Sequence, residues 1–420
     1  MRDTPLLPLL ARLTLFYLYF FNYCEGGGPL NNKEVYKAII LFGVVSFLGD
    51  VIYEGARGII PSYLAYLGAS AFLVGLISGV TEFIGISFRF ISGFLVDLSK
   101  SYWTFYILGY ALIVSIPLLG LSNSLQIAVI LILIERIAKG IRAPARDSLI
   151  SFVSRGMGPG KAFGIHEALD QIGAVTGPLI MGLILLYSNN YSLAFLGSLI
   201  PYLFLITSVL YIYRRYSWAS PSEGGGGKLS LKYERSFWMY NIAVFLNMIS
   251  LIHVSLIVLS SSLTFNPGMA ALLYMLIQLV DTASALVAGF MFDRYGRAFL
   301  YIPFALSIAP SCLTLLGGGS NIVLAAITFG IILGMQESIY RAAISTLVPE
   351  NQRGSAYGIF NAVYGVGNLI SAPIFGYLIQ SKMISLGIYY TIIGQLLAII
   401  VLFLSLGRKE RSSGPQNELS

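Results

Sequence analysis

The sequence predicts an all-α polytopic membrane protein, twelve transmembrane helices arranged as two pseudo-symmetric six-helix bundles. Three observations predict it. Hydrophobic residues make up 56% of the 420 residues and charged residues 11%, where soluble domains carry about 25% charge; mean hydropathy is +0.79. Nearly uncharged runs recur along the chain at about the twenty residues that a helix needs to cross a hydrocarbon core. The Lys and Arg between those runs collect on one side.

In order, the runs place spans at 36–58, 70–92, 103–122, 125–145, 163–187, 191–212, 236–258, 270–291, 299–317, 321–341, 356–380 and 386–406. Residues 1–34 form an N-terminal extension, interfacial or disordered: Leu13–Tyr23 is apolar and aromatic but short for a span, and no small-residue cleavage pattern follows it. Residues 35–213 form the first bundle and 236–407 the second. Between them 214–235 is a cytoplasmic linker, whose Ser-Pro-Ser-Glu-Gly-Gly-Gly-Gly run makes a flexible tether, and 408–420 is a cytoplasmic tail.

Orientation follows from charge, because Lys and Arg of short loops stay cytoplasmic. One set of loops holds Lys100, Arg142, Arg146, Arg155, Lys161, Arg214, Arg215, Lys228, Lys232, Arg235, Arg294, Arg297 and Arg353, with Arg408, Lys409 and Arg411 in the tail. On the opposite side only Lys382 breaks the rule. Both ends of the bundle are therefore expected in the cytoplasm, in a multi-pass protein of the plasma membrane. The bias accounts for the net charge of +7, so nucleic-acid binding is not expected. Cys24 and Cys312 are too few for a disulfide framework, and His166 and His253 form no H-x-x-x-H pair; no metal and no cofactor are expected.

The halves repeat at a constant offset. Gly93-Phe-Leu-Val-Asp97 recurs 196 residues later as Gly289-Phe-Met-Phe-Asp293, Arg146 as Arg341, Ala162-Phe-Gly-Ile165 as Ala356-Tyr-Gly-Ile359, and Gly173 as Gly367, 194 residues on. Parallel repeats imply a pseudo-two-fold axis along the membrane normal, with a site between the halves.

On these residues the chain resembles the major facilitator superfamily over 35–407. The superfamily's loop after span two reads G-x-L-a-D-r-x-G-r-k; Gly93, Leu95 and Asp97 match before Leu98 and Lys100 depart, and Gly289, Asp293, Arg294, Gly296 and Arg297 match more fully. The fourth-span motif R-x-x-q-G is similar to Arg136-Ile-Ala-Lys139-Gly140, and the fifth-span G-x-x-x-G-P to Gly173-Ala-Val-Thr-Gly177-Pro178. The last motif resembles the drug/proton antiporter branch. The resemblance implies an alternating-access transporter, with Arg136 against a carboxylate of span one, where it influences proton release.

Charges inside spans cost a few kcal/mol each on insertion scales, so each is a candidate. Asp50, Glu54 and Arg57 share one face of span one, read as a proton-coupling pair, Asp50 and Glu54, acting with Arg136. Arg57, Glu82, Glu135, Lys139, Asn247 and Glu337 are the candidate substrate contacts. Glu135 and Lys139 are spaced as an i, i+4 pair, and Gln278 stands at the repeat position of Glu82. Arg89 either snorkels or holds a gate. His166, Glu167 and Asp170 are read as a solvated helix start. Gly93, Asp97, Arg146 and Asp147, with Gly289, Asp293, Arg294, Arg297 and Arg341, are read as charge relays that close an inner gate in one state. Gly173, Gly177 and Pro178 allow close packing and bending. Tyr240, Tyr274, Tyr340 and Tyr364 are possible cavity walls.

The expected function is secondary active transport of a small solute, proton-coupled efflux by antiport. The rival is a proton symporter importing an organic anion, favoured if Arg57, Arg136 and Lys139 face an empty cavity rather than being paired. A membrane-embedded enzyme would need a nucleophile, a metal set or a large extramembrane domain, and the sequence shows none. The expected partners are the small-molecule substrate, protons and the bilayer; the protein is expected to be a monomer.

Overall fold

The computed structural model describes residues 32–154, 157–218, 233–349 and 352–406; the amino-terminal extension, most of the linker and the tail lie outside these. Within a bilayer every backbone N–H and C=O must find a partner in the chain itself, and helices supply it. Twelve follow one another among the described residues; the first half has α1 (Asn32–Tyr66), α2 (Ala71–Ser99), α3 (Tyr102–Leu121), α4 (Leu125–Val153), α5 (Pro159–Ser188) and α6 (Tyr191–Tyr216). The second half adds α7 (Arg235–Thr264), α8 (Pro267–Tyr295), α9 (296–316), α10 (Gly319–Leu347), α11 (Arg353–Gln380) and α12 (Ile384–Leu406).

Ends are set locally. Ser70, Asn190 and Asn266 side chains accept from backbone N–H groups three residues on, capping α2, α6 and α8. Gly296 at φ 61° turns α8 directly into α9, a backbone that glycine adopts without penalty. Four charged residues, Glu135, Arg136, Lys139 and Arg142, interrupt the apolar run of α4. Arg142 and Arg146, expected in a loop, lie within α4, which continues to Val153. Span α7 breaks at Ser250–His253, where the His253 ring accepts from Ser255 N–H and starts the second segment. Span α10 contains a π-turn, Gln336–Tyr340.

The chain alternates direction, so the loops carrying Lys and Arg define one basic face, and the loops at 67–70, 122–124, 189–190, 265–266, 317–318 and 381–383 define the opposite face. The sequence repeat is also a packing repeat. In the first half Gly140 of α4 lies against the Gly85 carbonyl and Arg89 N of α2; in the second Gly334 of α10 lies against Ala285 N of α8. Each pair is displaced by the repeat offset. Gly93 faces Pro144, and its counterpart Gly289 faces Ser338.

The two halves meet through α2 with α11 and α5 with α8. Toward the opposite face the contact is backbone to backbone: a Cβ at Gly79 would lie 3.0 Å from the Asn368 carbonyl and one at Gly182 3.2 Å from the Gly268 carbonyl. Toward the basic face side chains replace backbone at the seam, with the Phe90 ring of α2 beside Gly358 of α11, and a cavity of about 280 Å³ is lined by Arg89 of α2 and by Arg341, Tyr357 and Asn361 of α10 and α11.

Candidate functional site

Helices α1, α2 and α4 bring six charged side chains together near the membrane middle. Glu54 is buried and is held from three directions: Arg57 Nη1 donates at 2.8 Å, Lys139 Nζ at 3.3 Å and Tyr274 Oη at 2.7 Å. Tyr274 belongs to α8, so this last bond crosses between the halves. Arg136 lies 3.5 Å from both Glu82 and Glu135, and Arg57 reaches Glu82 at 3.9 Å. The cations therefore have carboxylate partners. Removing one member of such a buried pair costs about 3–5 kcal/mol, because the other charge is left uncompensated.

Some sequence expectations change in detail. Arg136 does not sit against span one; α2 supplies its carboxylate, Glu82, and its neighbour Glu135 the other. The i, i+4 pair of Glu135 with Lys139 is not formed, since Lys139 turns across to Glu54. Asp50, 3% exposed, lies on the same face as Glu54 as predicted, but its Oδ1 has no hydrogen-bond partner among the described residues. Beside it stands a group the sequence reading treated as a loop residue, Arg142, 2% exposed, whose guanidinium lies 4.7 Å from the Tyr53 ring centroid and 5.2 Å from that of Tyr110. Lys139 also lies over Tyr53, at 4.5 Å. Tyr53 thus supplies a π-face to both cations. Its adjacency to Glu54 was visible in the sequence; its role was not, because tyrosine is abundant throughout.

His166 is not at a solvated helix start. It is buried, its Nε2 2.7 Å from Ser46 Oγ, and Ser46 lies 3.3 Å from Tyr110 Oη and 3.4 Å from Arg146 Nη1. Arg146 binds Asp147 at 2.9 Å and Asp170 at 3.8 Å. A polar chain therefore runs from Asp147 toward Asp50. The reason is the crossing of α1 and α5, in which Gly177 meets the Val51 carbonyl and Gly173 packs so closely that a Cβ there would lie 2.9 Å from Asp50 Cβ. Pro178 lies beside Gly58 in the same seam.

Gating candidates are spread apart in this conformation. Asp97 and Asp293 are exposed and form no ion pair among the described residues; Asp97 accepts from Tyr102 Oη at 3.4 Å. Arg297 binds Thr346 instead, Arg294 stacks near Tyr295 and Arg341 opens into the cavity. The relays Asp97–Arg146 and Asp293–Arg341 are not closed.

In the second half Asn247 is wholly enclosed, 0% exposed. It donates to Gln395 Oε1 at 2.8 Å and accepts from Tyr340 Oη at 3.1 Å and Gln336 Nε2 at 3.4 Å. Tyr364 Oη reaches Gln336 at 3.1 Å and forms the rim of this network. Asn247, expected as a substrate contact, is thus enclosed by Gln336, Tyr340 and Gln395; of these the sequence pointed only to Tyr340. Tyr240 is likewise internal, donating to the Tyr340 carbonyl at 3.0 Å. Glu337, on the π-turn, is exposed to the gap, within electrostatic reach of Arg341, Glu167, Lys139 and Glu54. Asp281 of α8 is buried near it, with Oδ1 unpartnered among the described residues. No group of three His, Cys, Asp or Glu among the described residues is placed to hold a metal.

Comparison with known proteins decides the family. The sequence profile of the Major Facilitator Superfamily matches residues 40–258 and again 237–419. The chain belongs to the major facilitator superfamily. It is 31% identical over 394 residues to a protein of Mycobacterium tuberculosis, covering 88% of this chain and 93% of the relative. To an MFS-type transporter of Methanocaldococcus jannaschii it is 29% identical, over 89% and 96% of the two chains. A multi-drug resistance efflux pump PmrA homolog of Lactococcus lactis matches only 49% of this chain and 53% of its own, at 26% identity. Among solved structures, a POT family transporter in complex with 5-aminolevulinic acid superposes with TM-score 0.72 at 14% identity, covering 90% of this chain and 97% of that one. The nucleoside transporter NupG gives 0.64 at 15%, over 88% and 98%. These similarities show the superfamily fold, a membrane transporter of two repeated halves.

Proposed function

We propose that this major facilitator superfamily transporter is proton-coupled and exports a small solute by antiport, as a monomer in the plasma membrane with its basic face in the cytoplasm. The observation that carries the reading is Glu54, a carboxylate in the membrane interior that binds two cations of its own half and one hydroxyl of the other. Ionised, it accepts the bond from Tyr274 and holds the opposite face shut. Protonated, it loses most of its attraction for Arg57 and Lys139, and the charge-assisted bond across the halves weakens. One proton then biases the equilibrium between two access states, which is the coupling that transport requires. Asp50 extends the site toward Arg142 and the polar chain through Ser46, His166 and Arg146, a route for protons to the basic face.

Two observations support export. The G-x-x-x-G-P segment forms the α1–α5 seam directly behind Asp50, and a relative over half the chain is described as an efflux pump homolog. Uptake of an organic anion at Arg57, Arg136 and Lys139 is less well supported, because all three are paired with carboxylates.

The test is proton movement in proteoliposomes holding a pH gradient while chemically diverse solutes are added. Wild type collapses the gradient with one solute class; Glu54→Gln and Asp50→Asn insert normally and do not. Unchanged proton-coupled flux in both variants would sink the mechanism, and accumulation of solute with the proton gradient rather than against it would replace export by symport.

A further inference from the structure

We propose that the cavity at the basic face is a binding site for a small oxyanion, the carboxylate or phosphate group of the transported solute, held between Arg89 of one half and Arg341 of the other. Four side chains line the cavity, Arg89, Arg341, Tyr357 and Asn361, and all four carry N–H or O–H donors. Arg341 is exposed to it and has no carboxylate within 4.0 Å among the described residues. Glu337, one turn earlier on α10, is an electrostatic neighbour but makes no ion pair with it. Arg89 makes one ion pair among the described residues, 3.4 Å to Asp147, and that carboxylate is already held at 2.9 Å by Arg146. The mouth therefore carries an excess of positive charge directed into space from both halves. A planar guanidinium on each side suits a carboxylate or phosphate, which offers two or more acceptor oxygens.

The placement has a consequence for gating. Arg89 and Arg341 line the cavity from opposite halves, across the gap that must narrow when the basic face closes. Without a ligand, closure drives like charges together. With an oxyanion between them the sign reverses, and the same closure gains two charge-assisted contacts. The loaded protein passes to the other state while the empty one is held open. This substrate class rests on the alternating-access reading for its consequence, but binding itself requires neither a proton gradient nor Glu54.

The experiment uses the full-length protein in neutral detergent, titrated with inorganic phosphate and with succinate while heat of binding is measured. Saturable binding of at least one probe to the wild type is expected, and Arg341→Gln and Arg89→Gln each weaken it about tenfold, the value of one charge-assisted contact. Arg341→Lys retains part of the affinity, and Lys382→Gln, on the opposite face, retains all of it. Binding also persists in Glu54→Gln, so failure of proton coupling and failure of the anion site are read separately. Absence of saturable binding, or equal affinity in wild type and Arg341→Gln, overturns the proposal. A parallel titration in nanodiscs of phosphatidylglycerol against phosphatidylcholine tests a lipid source. An Arg341-dependent signal that appears only with phosphatidylglycerol, and that free phosphate or succinate does not displace, overturns a solute site in favour of a lipid headgroup.

Discussion

Glu54 and Tyr274 lie 220 residues apart, on α1 and α8, beyond the reach of any helix-spacing rule, and yet share a 2.7 Å bond between the halves. A hydrogen bond to a charged group contributes about 1.5–3 kcal/mol, enough to move a two-state equilibrium by an order of magnitude or more. Tyr274→Phe removes that bond and little else. The expected result is a larger population open at the opposite face, read as faster thiol labelling of an Ala372→Cys reporter, which is fully buried where α11 meets Gly75. Equal labelling with and without Tyr274→Phe would mean that the bond does not hold this face closed. The charged residues of this cluster were legible in the sequence because a charge inside an apolar run is conspicuous. Their partners were not. Helix spacing favoured Glu135 with Lys139, but Lys139 lies nearer Glu54 once α1 packs beside α4, and a local rule worth about 0.2–0.5 kcal/mol yields to that packing.

At the scale of the helix, close crossings at glycine decide what can meet. Gly330 and Gly334, four residues apart, let α10 lie on the backbone of α8, and three residues further Glu337 enters the π-turn beside Asp281. Small residues with this spacing allow helices to approach where lipid offers no hydrophobic driving force. Gly334→Leu has no space for its side chain and is expected to cost at least about 1–3 kcal/mol, the range for overpacking, seen as a lower melting temperature and a smaller monodisperse fraction. Gly164→Leu, at a glycine whose Cβ position is open, should leave both unchanged, so equal losses in the two variants would count against the packing argument. The sequence repeat was read from other positions, Gly93 with Gly289 and Gly173 with Gly367, and the breaks in α7 and α10 were not legible, because a polar residue within a span does not by itself say whether the backbone departs from the helix.

Across the whole molecule, the halves are joined through α2 with α11 and α5 with α8. Cross-half hydrogen bonds run from Phe72 N to Gln380 at 3.2 Å on the opposite face, through Glu54, to Thr282 and Gln171 at 2.8 Å near the middle. Alternating access requires the first of these contacts to separate. Phe72→Cys with Gln380→Cys, in a background with Cys24 and Cys312 replaced by serine, is expected to abolish solute flux when bridged by a short thiol cross-linker and to recover it on reduction. Full flux in the cross-linked protein would show that α2 and α11 need not part there.

The sequence by itself determined the membrane class, the twelve spans, the basic face, the two-half repeat and the identity of the buried acids and bases, because hydropathy, charge bias and repeat offset are properties of the chain read in order. Only the tertiary structure decided which acid holds which base, that Asn247 is enclosed while Glu337 faces the gap, that His166 is buried, and that Arg89 and Arg341 confront each other across a cavity. Those outcomes depend on which helices cross and how closely. Crossing distance is set by the small residues at each seam acting together on two helices, and no single run of sequence contains both.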